Sequence, residues 1–206
     1  METLNKPDRL CVLTDSIYAI VLTLLVLDLK PPTFPGMTDR QLMDDLFNQL
    51  SNFKAYIVSF VILARFWLRH DAIFKMLEKI DRRIMVLNFL HILFISLIPF
   101  TASLVGHYQK DEIAIVIFIF DIALCGFFLS MIRQHVSRHK EWLGRSDAKH
   151  WIIDPWYIRY SFSMIALLAI GVSLLKLRDI ALLICFTAPF IASYVSRRYE
   201  SGYQKA

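Results

Sequence analysis

The sequence predicts an all-α membrane protein of six transmembrane helices forming one domain over residues 1–206. Three observations predict it. Hydrophobic residues make up 56% of the chain and aromatic residues 14%, with a mean hydropathy of +0.49. The apolar residues are gathered in runs of about 20, the length that crosses a hydrocarbon core about 30 Å thick. The basic residues, 23 Lys and Arg against 18 Asp and Glu, lie beside these runs as topology signals do. That placement excludes a soluble domain and argues against a nucleic-acid-binding surface.

The runs fall at 10–29, 54–74, 84–106, 113–132, 157–175 and 180–196. The first follows a short polar start, lacks a small-residue cleavage site and ends in Asp28-Leu29-Lys30-Pro31-Pro32, so it reads as a retained span rather than a signal peptide. A Pro-rich turn follows. Thr38 is placed as a helix N-cap, and Leu42, Leu46, Leu50 and Phe53 recur at helical spacing among acids, predicting an amphipathic helix that leads into the second span. The loop after the fourth span carries Trp142, Trp151 and Trp156 among basic residues and reads as an interfacial belt in contact with membrane lipids.

Lys and Arg set the orientation. Lys6, Arg9, Lys75, Lys79, Arg82, Arg83, Arg133, Arg138, Lys140, Arg145, Lys149, Arg197, Arg198 and Lys205 fall on one side. Lys30, Arg40, Lys54, Lys110, Lys176 and Arg178 fall on the other. The positive-inside bias places both termini in the cytoplasm. Cys11, Cys125 and Cys185 lie inside apolar runs and form no CxxC, disulfide or zinc pattern. No HExxH, GxSxG, phosphate loop or GxGxxG occurs, so catalysis has no motif to rest on.

Ionisable groups at membrane depth are costly and default to functional candidates. Arg9 and Asp15 in the first span, Trp67 and His70 in the second, and Asn88 and His91 in the third share one level near the cytoplasmic side. Arg9 and Asp15 are about 240° apart around a helix, so each reaches across to another helix. Asp15 is offered His70, Asn88 or Thr14, and Arg9 is offered backbone carbonyls or Asp71. A packing network and proton sensing through His70 or His91 both fit. Asp121 lies near mid-depth in the fourth span with no partner nameable from sequence; Arg65 and Arg69 share a face of the second span. His135 and His139 have the i,i+4 spacing of two metal ligands, but Arg133, Arg138 and Lys140 surround them and disfavour a cation.

On the first span Ser16, Ile20, Thr23 and Leu27 fall on one helical face, with Asp28 at its external end. Two readings fit. The stripe is ordinary packing, or in a symmetric oligomer it stacks rings of side chains along a pore.

The segment Arg9-Leu10-Cys11-Val12-Leu13-Thr14-Asp15 resembles the Arg-x-x-x-Phe-Ser-Asp motif that opens the transmembrane protein 175 family of endolysosomal potassium channels and their prokaryotic relatives, with Leu13 for Phe and Thr14 for Ser. Ala19 through Lys30 looks like the same helix continuing. Ser59-Phe60 with Trp67-x-x-His70 resembles the family's second span, and Leu87-Asn88 through Pro99-Phe100-Thr101 its third. The first half carries most of the likeness; the second matches in span pattern. The resemblance implies a homotetramer whose first helix lines a central pore that passes K⁺ in preference to Na⁺ without a filter loop. It implies apolar constrictions at Ile20 and Leu27, a selectivity ring at Thr23, pore-lining or mouth roles for Ser16 and Asp28, and a motif network of Arg9, Thr14, Asp15, Trp67, His70 and Asn88. No metal or cofactor beyond the permeant K⁺ is implied, and a prokaryotic plasma membrane is the expected location. The alternative is a proton-coupled secondary transporter with an inverted repeat, drawn from the echo of Pro99-Phe100-Thr101-Ala102-Ser103 in Pro189-Phe190-Ile191-Ala192-Ser193.

Overall fold

The computed structural model describes residues 6–31, 38–108, 111–144, 160–175, 177, 180–181, 183–184, 186–187, 190–191 and 194. Trp151, Trp156, Cys185, Lys110, Arg145, Lys149, Lys176, Arg178, Arg197, Arg198, Lys205, the turn at 32–36, and Pro189, Ala192 and Ser193 of the repeat lie outside the described residues.

The described chain is helical. Helix α1 spans Asp8–Leu24 and tightens into a 3-10 turn over Leu25–Asp28. Helix α2 spans Asp39–Asn48, α3 Leu50–Phe74, α4 Arg82–His107, α5 Glu112–Arg138 and α6 Ser161–Leu174. Every described position over 180–194 is also helical. Among the described residues three helical segments are long and apolar enough to cross a membrane: Asp8–Asp28, Arg82–His107 and Glu112–Arg138. Helix α3 is as long, but Lys54, Arg65 and Arg69 dilute its apolar character. Helix α6, as described, spans 14 residues and about 21 Å; positions 157–159 of the expected span lie outside the described residues.

Local chemistry explains the boundaries. The predicted cap at Thr38 is a full capping box: its hydroxyl accepts from the Gln41 N–H, and the Gln41 side chain accepts from the Thr38 N–H. This closes α2 without help from neighbours, and its Leu42, Met43, Leu46 and Phe47 all remain exposed. Asp81 caps α4, accepting from the Ile84 N–H at 2.8 Å. Helix α5 runs six residues past its predicted end at 132, because its final turns gain tertiary partners at His135 and Val136 that hydropathy does not register.

Helix α4 is the centre of the bundle and packs on α1, α3 and α5; α6 packs on α5. Ile62, Leu63, Ile84, Ile95, Ile98, Ile119, Ile122 and Ile132 are fully enclosed. In lipid such contacts act through close packing rather than escape from water, so backbone approach matters. At Gly106 a Cβ would fall 2.7 Å from Asn52 Oδ1 and 3.3 Å from its Cα, so any larger residue would force Asn52 on α3 to shift. Gly106→Ala is expected to destabilise by about 1–3 kcal/mol. Thermal unfolding in detergent checks this, and Asn52→Ala in the same chain should recover part of the loss.

At the end of the bundle where α3 meets α4, two connections are clasped together. Leu77 and Leu143 form an antiparallel bridge, the Glu78 N–H donates to the Trp142 carbonyl at 2.8 Å, and the Gly144 N–H donates to the Met76 carbonyl at 3.1 Å. His135 Nε2 lies 2.9 Å from Asp81 Oδ2, pinning α5 to the start of α4. His139 Nδ1 lies 3.0 Å from Glu141 Oε1, and its ring stacks on Trp142 at 4.2 Å. The two histidines with metal-ligand spacing thus direct these nitrogens at separate carboxylates. Trp142, placed by sequence in a lipid belt, is 7% exposed within this clasp.

Burial pushes the Asp81 carboxyl up, but the Ile84 N–H and the His135 ring outweigh it and hold it below the ordinary carboxylate range. A lowered folded-state value stabilises above the unfolded value, about 3.9, and that stability is lost as pH falls through the folded one. Thermal stability should therefore fall on acidification below about pH 4, and Asp81→Asn should flatten that part of the profile.

Candidate functional site: the first helix and its polar network

Helix α1 has two faces of different character. Leu10, Thr14, Tyr18, Val21 and Leu25 are buried against the bundle. The predicted stripe lies away from it, with Ser16 and Thr23 exposed, Ile20 57% exposed and Leu27 67% exposed. The stripe therefore lies outside the buried core of the described residues. Both of its hydroxyls donate to their own helix: Ser16 to the Val12 carbonyl at 2.7 Å and Thr23 to the Ile20 carbonyl at 2.7 Å. With the hydrogen so engaged, an outward lone pair on each oxygen remains an acceptor for a cation.

The buried face is tied by directed bonds. Asn88 Nδ2 donates to Thr14 Oγ1 at 2.8 Å, and Thr14 donates on to the Leu10 carbonyl at 2.8 Å. His70 Nε2 lies 2.8 Å from Asn88 Oδ1; with the Asn88 amide nitrogen committed to Thr14, its oxygen accepts and His70 donates. This chain joins α3, α4 and α1, and all three side chains are essentially inaccessible. The His70 ring stacks on Phe74 at 4.1 Å.

Asp15 stands outside this chain. Its partner is Trp67, whose Nε1–H donates to Asp15 Oδ1 at 2.9 Å, rather than His70, Asn88 or Thr14. Arg9 is exposed, and Asp71, offered to it by sequence, pairs instead with Lys75 at 2.7 Å. Of the six motif residues, the structure joins Thr14, Asn88 and His70 in one chain and Asp15 and Trp67 in a second, with Arg9 at the helix start.

Asp28 ends the 3-10 turn and is held against α4. Its Oδ1 accepts from the Ser103 hydroxyl at 2.8 Å, and His107 Nδ1 lies 3.7 Å from Oδ2. Pro99, Asn52 and Tyr56 help line the small cleft beside it. Asp121 gains the partner the sequence did not name: Thr101 on α4 donates to its Oδ2 at 3.0 Å, while its buried Oδ1 has no hydrogen-bond partner among the described residues. The Arg65 guanidinium sits 5.0 Å above the Phe190 ring.

Sequence reasoning missed Tyr18. Its Oη lies 2.7 Å from His91 Nε2, at 1% exposure. A signal was available, since Tyr18 follows Thr14 by one turn on the buried face. A tyrosine in an apolar span reads as packing unless a partner is known.

The fold and this arrangement define an all-helical membrane protein with a polar network tying its first helix to its core. The family model described as the endosomal/lysosomal potassium channel TMEM175 matches residues 9–99, the stretch from the motif arginine to the helix proline of α4. A potassium channel of Streptomyces collinus is 30% identical over 152 residues, covering 74% of this chain and 70% of that one. The endosomal/lysosomal proton channel TMEM175 of Gallus gallus is 31% identical over 117 residues, 54% of this chain and 23% of that longer protein. The crystal structure of a lysosomal potassium-selective channel TMEM175 homolog from Chamaesiphon minutus superposes with a TM-score of 0.74 at 20% identity, covering 92% of this chain and 97% of that one. The chain belongs to the TMEM175 family.

Proposed function

We propose that the protein is a potassium-permeable cation channel: a homotetramer of six-span subunits in a prokaryotic plasma membrane, termini cytoplasmic, with α1 of each subunit at the central axis. One observation carries this reading: Ser16, Ile20, Thr23 and Leu27 form one exposed face on a helix whose opposite face the polar network ties to the bundle.

In this arrangement Ile20 and Leu27 form two apolar rings that narrow the path and resist wetting. Thr23 lies between them, and its hydroxyl oxygens face the axis as acceptors that partly replace water lost by a dehydrating cation. K⁺ holds its water less tightly than Na⁺, so a partial replacement favours K⁺. Ser16 lines the inner end. Asp28, held by Ser103 beside α4, contributes its charge to the outer mouth through space rather than by touching the ion. The Lys and Arg distribution supports the orientation.

The test is K⁺ flux from liposomes reconstituted with purified protein. A voltage-driven, non-saturating flux is expected. Saturable uptake driven by a proton gradient would instead favour the transporter reading. Thr23→Val, which keeps shape and removes the oxygen, should lower K⁺ preference over Na⁺ with little change in folding. Reversal potentials and thermal unfolding of the same preparation check both halves.

A further inference from the structure

Tyr18 and His91 form a bonded line that neither the motif network nor the pore stripe uses. Tyr18 Oη lies 2.7 Å from His91 Nε2, and His91 Nδ1 lies 3.0 Å from the carbonyl oxygen of Cys125 on α5. A carbonyl only accepts, so Nδ1 carries the hydrogen. In the neutral ring Nε2 is then the acceptor, and the Tyr18 hydroxyl donates to it. One line of hydrogen bonds thus runs from α1 through α4 to α5, at positions that are 1% exposed or less.

The surrounding rings hold this line in place. Phe66 meets the His91 ring edge-on at 6.0 Å, and the His70 ring lies parallel to it at 6.0 Å. The Tyr18 ring itself lies 6.2 Å from the His70 ring and 6.1 Å from the His91 ring, contacts that a phenylalanine at position 18 would keep. The hydroxyl therefore supplies direction rather than volume. Leu10, Val21 and Leu25 on the same face of α1 are apolar and can slide or turn against their neighbours. Among the described residues, Thr14 and Tyr18 alone make directed side-chain bonds from that face, and they are one turn apart. Their partners Asn88 and His91 are likewise one turn apart on α4. Thr14 ties α1 through Asn88 to α3; Tyr18 ties it through His91 to α5.

We infer that Tyr18 is a positioning residue for the pore: with His91 and the Cys125 carbonyl it sets the rotation of α1 that presents Ile20 and Thr23 away from the subunit core. Ile20 is about 200° around the helix from Tyr18 and Thr23 about 140°, so fixing one face of α1 aims the other. The inference rests on the channel reading for what that face does, but not for where it points.

The experiment reads the rotation directly. Ile20→Cys is placed in reconstituted protein and the rate of its modification by a charged, water-soluble thiol reagent is measured, with the Ile20 chain as background for the native cysteines. Adding Tyr18→Phe is expected to slow modification about fivefold, as removal of one buried bond lets α1 sample other rotations. His91→Leu should slow it similarly and also lower thermal stability, because it strands the Tyr18 hydroxyl. In Tyr18→Phe/His91→Leu both polar partners are gone, so stability recovers while the slow modification persists. A purely structural bond would let both recover together. An unchanged rate in Tyr18→Phe, or a rate restored along with stability in the double variant, overturns the inference. K⁺ flux of the unsubstituted protein is recorded in parallel: its absence counts against the channel reading, whereas the modification rates decide the tether.

Discussion

Ile20→Ala raises K⁺ conductance by about tenfold, the change expected if shortening the ring takes about 1.4 kcal/mol off the barrier to ion passage. The side chain is 57% exposed and lies outside the core of the described residues, so its loss leaves the fold almost untouched. What changes is the width and wetting of the axis. An apolar ring excludes water below a threshold radius, and an ion cannot follow without its hydration shell. Alanine removes most of that ring. Single-channel recording in bilayers checks the expectation, with unfolding temperature as control. The same substitution at Leu27, 67% exposed, should act in the same direction.

The largest stability effect is expected at Asn88. Asn88→Leu strands the His70 Nε2–H and removes the amide that bonds Thr14, both at positions with no access to water. Each buried group left unpaired costs about 1–3 kcal/mol, so a total of about 2–6 kcal/mol is expected. Trp67→Phe is the informative comparison. It breaks the bond to Asp15, but Asp15 is exposed and can exchange its partner for water, so a loss of about 1 kcal/mol or less is expected. Thermal unfolding in detergent ranks the two. If Trp67→Phe proves the more damaging, the Thr14–Asn88–His70 chain is not the main tie between α1 and the bundle.

Much of this architecture was legible in residue order. Run length marked the helices, because an apolar stretch of about 20 residues has few other uses. Thr38 was readable as a cap because its chemistry is local and Gln41 completes it. The stripe was readable because helical period alone places Ser16, Ile20, Thr23 and Leu27 together. Pairings between helices were less legible. Depth brought Asp15, Trp67, His70 and Asn88 to one level, but which of them touch depends on how each helix is rotated. That rotation gave Asp15 to Trp67 and His70 to Asn88. Hairpin counting could have brought one pair near each other: Thr101 and Asp121 lie within about one helical turn of the same height above the short connection between α4 and α5. At the other end, the spacing of His135 and His139 raised a metal pair that their basic neighbours already disfavoured, and nothing in residue order pointed to the carboxylates Asp81 and Glu141 that the fold supplies.

Bi-ionic reversal potentials in planar bilayers, K⁺ on one side and Na⁺ on the other, test the central claim most directly. The account predicts a current that reverses at a potential favouring K⁺, with the preference reduced in Thr23→Val and the conductance raised in Ile20→Ala. No current from folded, reconstituted protein, or a current whose size and selectivity ignore both substitutions, would contradict it.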